Sequence, residues 1–275
     1  MEVGSQVAQS VTAIDATDLQ VVFSAAGHRF SVPHKVVEQM VTPPAVVRVP
    51  NVHHAVRGVV NLRGVVVGML DLRALIGAPS AESEAAALAT ELDDHRRAHG
   101  AWLDELEAAT TEGRSFTLPT DPRTCEFGRW RETFRPTNLQ LHMLMSRMDG
   151  AHRHIHEVAE QTVRLLRRGQ REGALAVLAE ARGYGLGRLA QLFDETREAL
   201  SESRRDIALV LRRAGRTPLA LLVDSVDAVS TLTPARVAEQ RGDTLGGLVA
   251  GLATDRDGAL VAALDVDALY LTASD

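Results

Sequence analysis

The sequence predicts an α+β fold in which a two-lobed β domain is interrupted by an inserted helical bundle. Three observations carry that expectation. Strand texture occupies two separate blocks, about 18–79 and 205–272. Helical texture fills 80–204 between them. A short sequence echo ties the two β blocks together.

The first block opens with L-Q-V-V-F-S-A-A-G-H-R-F-S-V-P, two short apolar runs around a glycine turn, and continues with G-V-V-N-L-R-G-V-V-V-G-M-L-D-L, two more. Both read as hairpins. In the bundle segment, Pro79-Ser80 can start a helix whose stripe runs Leu88, Leu92, His95, His99, Trp102 and Leu106, at alternating spacings of four and three. A second stripe runs Met145, Met148, His152, Ile155 with His156, Ala159, Val163 and Leu166; a third runs Leu186, Leu189, Phe193, Thr196 and Leu200. Such stripes pack into an antiparallel bundle. Gly183, Gly185 and Gly187 are expected to break or kink the last long segment. Strand texture then returns in D-I-A-L-V-L, T-P-L-A-L-L-V-D-S-V and G-L-A-T-D-R-D-G-A-L-V-A-A-L.

The echo lies between M-L-D-L-R-A-L (69–75) and A-L-D-V-D-A-L (263–269), each following a hairpin with glycine at its turn. It implies two similar β lobes built from both blocks, and short antiparallel strands of this kind close into small barrels that leave few unpaired edges. An insertion then needs its entry and exit close together on the host surface. Asp71 and Asp224, acids ending apolar strands, read as turn caps.

The 275 residues, 45% hydrophobic and 24% charged, are those of an ordinary globular chain. No apolar run approaches the roughly 18 residues of a membrane span, and Met-Glu-Val-Gly lacks a signal-peptide pattern, so a cytoplasmic location without membrane insertion is the expectation. A net charge of -6 argues against nucleic acid as partner. Arginine-rich runs such as R-L-L-R-R-G-Q-R fit solvated helix faces.

Cys125 is the only cysteine. It is therefore a small buried hydrophobe, a reactive thiol or a metal ligand. Asp121-Pro122 before it can cap and open a helix, whose N-terminus would favour the thiolate. His152 and His156 are one turn apart in H-R-H-I-H and face the same way, while His154 points roughly 160° away from the line between them. His99 lies on the inward stripe of the first helix. Three imidazoles and a thiolate make a closed tetrahedral set for Zn²⁺; core histidines with a filler cysteine would use the same positions. Several inward histidines lacking carboxylate partners weigh against that second reading, but spacing alone leaves both open.

The string His99-Gly-Ala-Trp102, then Cys125-Glu-Phe-Gly128-Arg-Trp130, then His152-Arg-His-Ile-His156 resembles the chemoreceptor zinc-binding (CZB) domain, with its pattern HxxW, CxxGxW and HxxxH on a helical bundle. The resemblance covers roughly 82–204 and implies zinc as cofactor, held by His99, Cys125, His152 and His156. Ala151 stands where the family usually has proline. His95, a turn earlier on the stripe, is a rival ligand. Oxidant and zinc sensing are activities attributed to that family, and the resemblance extends them to this chain, with Cys125 as the group that an oxidant such as hypochlorous acid would modify.

The β blocks, through G-V-V-N-L-R-G-V-V-V-G-M-L-D-L-R (58–73) and L-A-L-L-V-D-S-V (219–226), resemble the CheW-like chemotaxis coupling domain. That family's fold is a pair of five-stranded SH3-like barrels. Its members are non-catalytic adaptors between the cytoplasmic tips of chemoreceptors and the regulatory domain of a histidine kinase of the CheA type. The resemblance implies partner contacts at Arg63, with Asn61 and Gly64 shaping its turn, and at Val36 and Glu38 in K-V-V-E; Gln39 departs from the apolar residue usual there. A zinc-dependent enzyme and an adaptor with a purely structural zinc site are the competing readings.

Overall fold

The computed structural model describes residues 16–136, 139–202, 206–235 and 247–274. The boundary expected at 204/205 lies outside the described residues. Contacts divide the chain into two compact units, one of them Glu82–Arg204 and the other the chain on either side of it.

The α+β class holds, with the β unit built as two sheets. Strands β1 (Gln20–Ala25), β2 (His28–Pro33), β3 (Val37–Val41), β4 (Val56–Leu62) and β5 (Val65–Asp71) are followed by a one-turn helix, α1 (Leu72–Leu75). After the helical unit come β6 (Ile207–Leu211), β7 (Leu219–Val223), β8 (Ser225–Ser230), the two-residue β9 (Thr233–Pro234), β10 (Val249–Thr254), β11 (Leu260–Leu264) and helix α7 (Val266–Thr272). One sheet is ordered β8-β1-β2-β11-β10-β9 and the other β3-β6-β7-β5-β4. The first has six strands rather than the expected five because β9 adds a short ladder to β10.

These orders make the internal echo a full repeat. β1 and β2 pair antiparallel, as do β6 and β7; β2 then pairs parallel with β11, as β7 does with β5. Each sheet therefore joins the first hairpin of one repeat to the later strands of the other. Neither block could fold into its sheet alone. Asp71 and Asp265 occupy equivalent N-cap positions: Asp71 accepts from the backbone N–H of Arg73 and Ala74, and Asp265 from those of Asp267 and Ala268. Their own N–H groups donate to Ala55 and Leu248, just before β4 and β10. Asp71 also pairs with Arg57 at 2.9 Å. Asp265→Ala is expected to cost about 1 kcal/mol, a usual N-cap value; Asp71→Ala costs more because Arg57 then loses its carboxylate. Urea denaturation of the two variants measures the difference.

The apolar faces of both sheets meet in one core that includes Phe23, Leu70, Leu72, Leu209, Leu221 and Leu269, all at or near zero exposure. Strands β3 and β8 alternate or are largely exposed, which is why their sequences carry no strong apolar run.

The helical unit comprises α2 (Ala81–Glu112), α3 (Glu126–Thr133), α4 (Leu139–Arg167), α5 (Arg171–Glu180) and α6 (Gly187–Glu202). Its core draws Leu92 and Leu106 from α2, Phe127 from α3, Met145 and Ile155 from α4 and Leu189 and Phe193 from α6, so the three stripes do face inward. The glycine-rich stretch does not break the helix. Residues Ala181–Leu186 form a π-helical bulge that joins α5 to α6. A wider turn absorbs the poor helix propensity of glycine without ending the helix. Among the described residues no helix is long and apolar enough to cross a membrane.

Candidate metal centre

The sequence places two histidines one turn apart on α4, and the fold brings a third from α2 and a sulfur from the start of α3. One donor atom from each of His99, Cys125, His152 and His156 can be chosen so that all four lie within 4.8 Å of one another. The three histidines are buried and Cys125 is half-buried. Tetrahedral bonds of the usual Zn–N and Zn–S lengths would hold donors roughly 3.3–3.8 Å apart, so the set is slightly open but of the right size.

Each ring is oriented by its surroundings. His99 Nδ1 lies 2.8 Å from the carbonyl of His95, and His156 Nδ1 lies 2.9 Å from the carbonyl of Thr120. With those nitrogens as N–H donors, the Nε2 atoms of His99 and His156 are left as acceptors, buried and without a hydrogen-bond partner. His152 Nε2 is 3.1 Å from Cys125 Sγ. Trp102 explains the tryptophan three residues after His99: its indole N–H donates to Pro119 O, pinning the loop that presents Thr120, and its ring leans on His156.

Cys125 enters the site differently from the expectation. Helix α3 begins at Glu126, not at Pro122, and Cys125 is itself the N-cap, its sulfur accepting from Gly128 N–H at 3.2 Å. Asp121 instead organises the preceding turn by accepting from Arg123 N–H. The need for glycine at 128 is steric. A Cβ there would lie 1.9 Å from Pro122 O.

Burial sets the protonation states. It pushes the His99 imidazole down to about 4 and that of His152 to about 3, and also lowers His156. All three rings are therefore neutral near pH 7, the form that binds metal. Burial raises the Cys125 thiol, outweighing the Gly128 and Phe127 N–H groups. The expected thiolate preference at the helix start is thus reversed in the metal-free chain, and a metal would have to supply it.

Because His99 and His152 titrate lower folded than the usual 6.5 of an imidazole, the unfolded chain binds more protons between the two values. Stability of the metal-free protein is expected to be fully present above about pH 6.5 and to fall as pH drops toward about 4. Chelator-treated protein denatured at stepped pH values checks this; a flat profile between pH 4 and 6.5 would contradict the burial of these rings.

His95, the rival ligand, is buried but lies outside the four-donor group, packed against Phe127 and Trp130. His154 is exposed.

On the β unit, Arg63 and Gly64 form the two-residue turn between β4 and β5, with φ of 53° and 88°. Asn61 Oδ1 accepts from Gly64 N–H at 2.7 Å. Arg63 makes no hydrogen bond or ion pair among the described residues, and the hairpin beside it exposes Val65 and Val66. Glu38 is instead engaged by Arg212, through bonds of 2.7 and 2.8 Å that hold its carboxyl below the usual range. The Val36 carbonyl accepts from the Arg212 N–H.

The family model described as CheW-like domain matches residues 20–108 and 181–273, about two thirds of the chain. The chain belongs to the CheW-like domain family. A second model, the chemoreceptor zinc-binding domain, matches 99–163, overlapping the first CheW-like segment at 99–108, ending before the second and spanning all four candidate donors. No curated protein is detectably similar to the chain. Similar solved structures include the scaffolding protein TtCheW from Thermoanaerobacter tengcongensis, at 11% identity and a TM-score of 0.39, covering 90% of this chain and 84% of that one. Another is the regulatory CZB domain of DgcZ, at 19% identity and a TM-score of 0.36, covering 42% of this chain and 98% of that one.

Proposed function

We propose that the protein is a non-catalytic chemotaxis adaptor of the cytoplasm, coupling chemoreceptor tips to the regulatory domain of a histidine kinase, with a zinc-binding insert. The proposed division is 18–79 and 205–272 for the coupling domain and 80–204 for the insert. His99, Cys125, His152 and His156 would hold the zinc. The observation that carries the metal reading is the four-donor cluster, within which the buried Nε2 atoms of His99 and His156, like that of His95 outside it, have no hydrogen-bond partner among the described residues, although burying such a group unpaired costs about 1–3 kcal/mol. A cation bound by these donors satisfies them and, with them, His152 and Cys125. Bound zinc would hold Cys125 as thiolate at neutral pH.

Four protein donors fill a tetrahedral ion, which disfavours the enzyme reading, since that needs an open position for water. A purely structural zinc staple uses the same ligands. What favours sensing is the lone sulfur. Hypochlorous acid can transfer chlorine to a thiolate, and hydrolysis of the S–Cl bond gives sulfenic acid and chloride, a weaker donor to the metal.

Arg63 supports the coupling half. It adopts a left-handed conformation that costs an L-residue about 1 kcal/mol, on an exposed turn where glycine would be strain-free. A guanidinium held there offers fixed donors to a partner carboxylate or carbonyl. Asn61 and Gly64 would shape the turn, and Val36 and Glu38 would form a lesser contact segment. Arg63→Glu is expected to abolish kinase or receptor capture while stability stays within about 0.5 kcal/mol. Arg63→Gly should lose binding too, yet be up to about 1 kcal/mol more stable. Pull-down beside thermal denaturation tests this; a variant that unfolds, or binds normally, makes Arg63 structural.

A further inference from the structure

Beside the metal centre the helical unit carries an open cleft of about 600 Å³, with His152 and Gly128 in its wall. Four arginines line it. Arg123 precedes α3, Arg131 lies within it, Arg135 follows it and Arg153 comes from α4. Helix periodicity therefore does not explain their meeting, as it does for arginines along one solvated face. Three of them lie in the continuous stretch 123–135 around α3, and the fold adds the fourth from α4, in a chain whose net charge is -6.

Their partners leave donors over. Arg131 is held in place, its Nη2 donating to Asp149 at 3.1 Å and its Nη1 to Phe134 O at 3.3 Å. Arg123 reaches Asp121 only at 3.4 and 3.5 Å. Arg135 donates to the Phe134 carbonyl, and Arg153 has no partner among the described residues. Against these the lining offers one further acid, Glu132. Pro122, Phe134 and Pro136 supply apolar wall between the guanidinium groups. The volume falls within the 300–1,000 Å³ usual for small-molecule sites.

We propose that this cleft binds a small organic phosphate of about nucleoside monophosphate size. Its phosphate sits among Arg123, Arg135 and Arg153, whose planar forks match oxyanion geometry. Its ring lies on the Pro122, Phe134 and Pro136 wall. Such a ligand would border His152, so its occupancy would be felt at the metal centre without a separate relay.

The experiment is calorimetric titration of the full-length protein as purified with adenosine monophosphate, inorganic phosphate and adenosine, zinc content being measured on the same samples. Adenosine monophosphate should bind one site per chain, more tightly than phosphate and far more tightly than adenosine. Its affinity should fall with added salt, as expected for charge-assisted contacts. Arg153→Ala and Arg123→Ala should each weaken it by about tenfold, the worth of one charged hydrogen bond. Arg164→Ala, exposed near the far end of α4, should leave it unchanged. No binding of adenosine monophosphate, equal binding of adenosine, or affinity unchanged by the Arg123 and Arg153 substitutions would each overturn the proposal. Because zinc is measured separately, failure here and failure of the metal reading remain distinguishable.

Discussion

Cys125→Ala or His152→Ala is expected to weaken zinc binding by at least about a hundredfold, since removal of even an outer partner of a ligand costs tenfold to a hundredfold. His154→Ala, two residues from His152 on the exposed face of α4, should bind zinc like the parent protein. His95→Ala should retain the metal as well, because its ring lies outside the four-donor group. Competition with a chromogenic chelator measures all four variants on one scale. The contrast between His152 and His154 isolates geometry from composition, both being histidines of the same helical turn. Equal loss in the two would sink the argument from helix faces.

Gly128→Ala is expected to be the most damaging single-methyl change in the helical unit. The added carbon would lie 1.9 Å from Pro122 O and 3.0 Å from Pro122 C, both backbone atoms that no rotamer change can move aside. Overpacking of that kind costs about 1–3 kcal/mol, and here relief requires shifting the turn that carries Cys125. Zinc affinity should therefore fall with stability. Gly100→Ala and Gly150→Ala provide the control, since both are helical and a Cβ at either meets nothing within 4 Å. Each should be stabilised by up to about 1 kcal/mol through helix propensity. Thermal denaturation of the three variants reads the sign directly, and a Gly128→Ala protein as stable as the parent would contradict the close approach.

The parts of this protein that could be read from sequence are those fixed by local periodicity. His152 and His156 share a face because they are four apart on a helix, and the stripes through Leu92, Met145 and Phe193 are buried as their spacing requires. The Asp71 cap follows from an acid placed between a strand and a short helix. Asp224, read the same way, caps no helix but accepts from the Ala26 N–H in the turn between β1 and β2 and pairs with Arg73, while the Asp265 cap was not singled out in the sequence. What was not legible depends on chain segments meeting in space. Nothing in the run around Thr120 announces that its carbonyl orients His156, and the late start of α3 turns on Cys125 sulfur acting as the cap. The direction of the thiol shift depends on burial, which only the packed bundle sets. The exchange of strands between the two sheets is likewise non-local, although the echo at 69–75 and 263–269 was its trace. The arginine cleft is legible only in part, since Arg123, Arg131 and Arg135 are neighbours around α3 in the sequence but nothing there announces that Arg153 joins them from α4.

In the proposed site, three imidazole nitrogens and the Cys125 sulfur hold one zinc ion. X-ray absorption at the zinc edge of the purified protein, together with its metal-to-protein ratio, tests that claim most directly. The expected result is about one zinc per chain, four-coordinate, with three nitrogen neighbours and one sulfur at the usual Zn–N and Zn–S distances of roughly 2.0 and 2.3 Å. A shell without sulfur, an additional water in place of a histidine, or protein that takes up no zinc when it is supplied would contradict it.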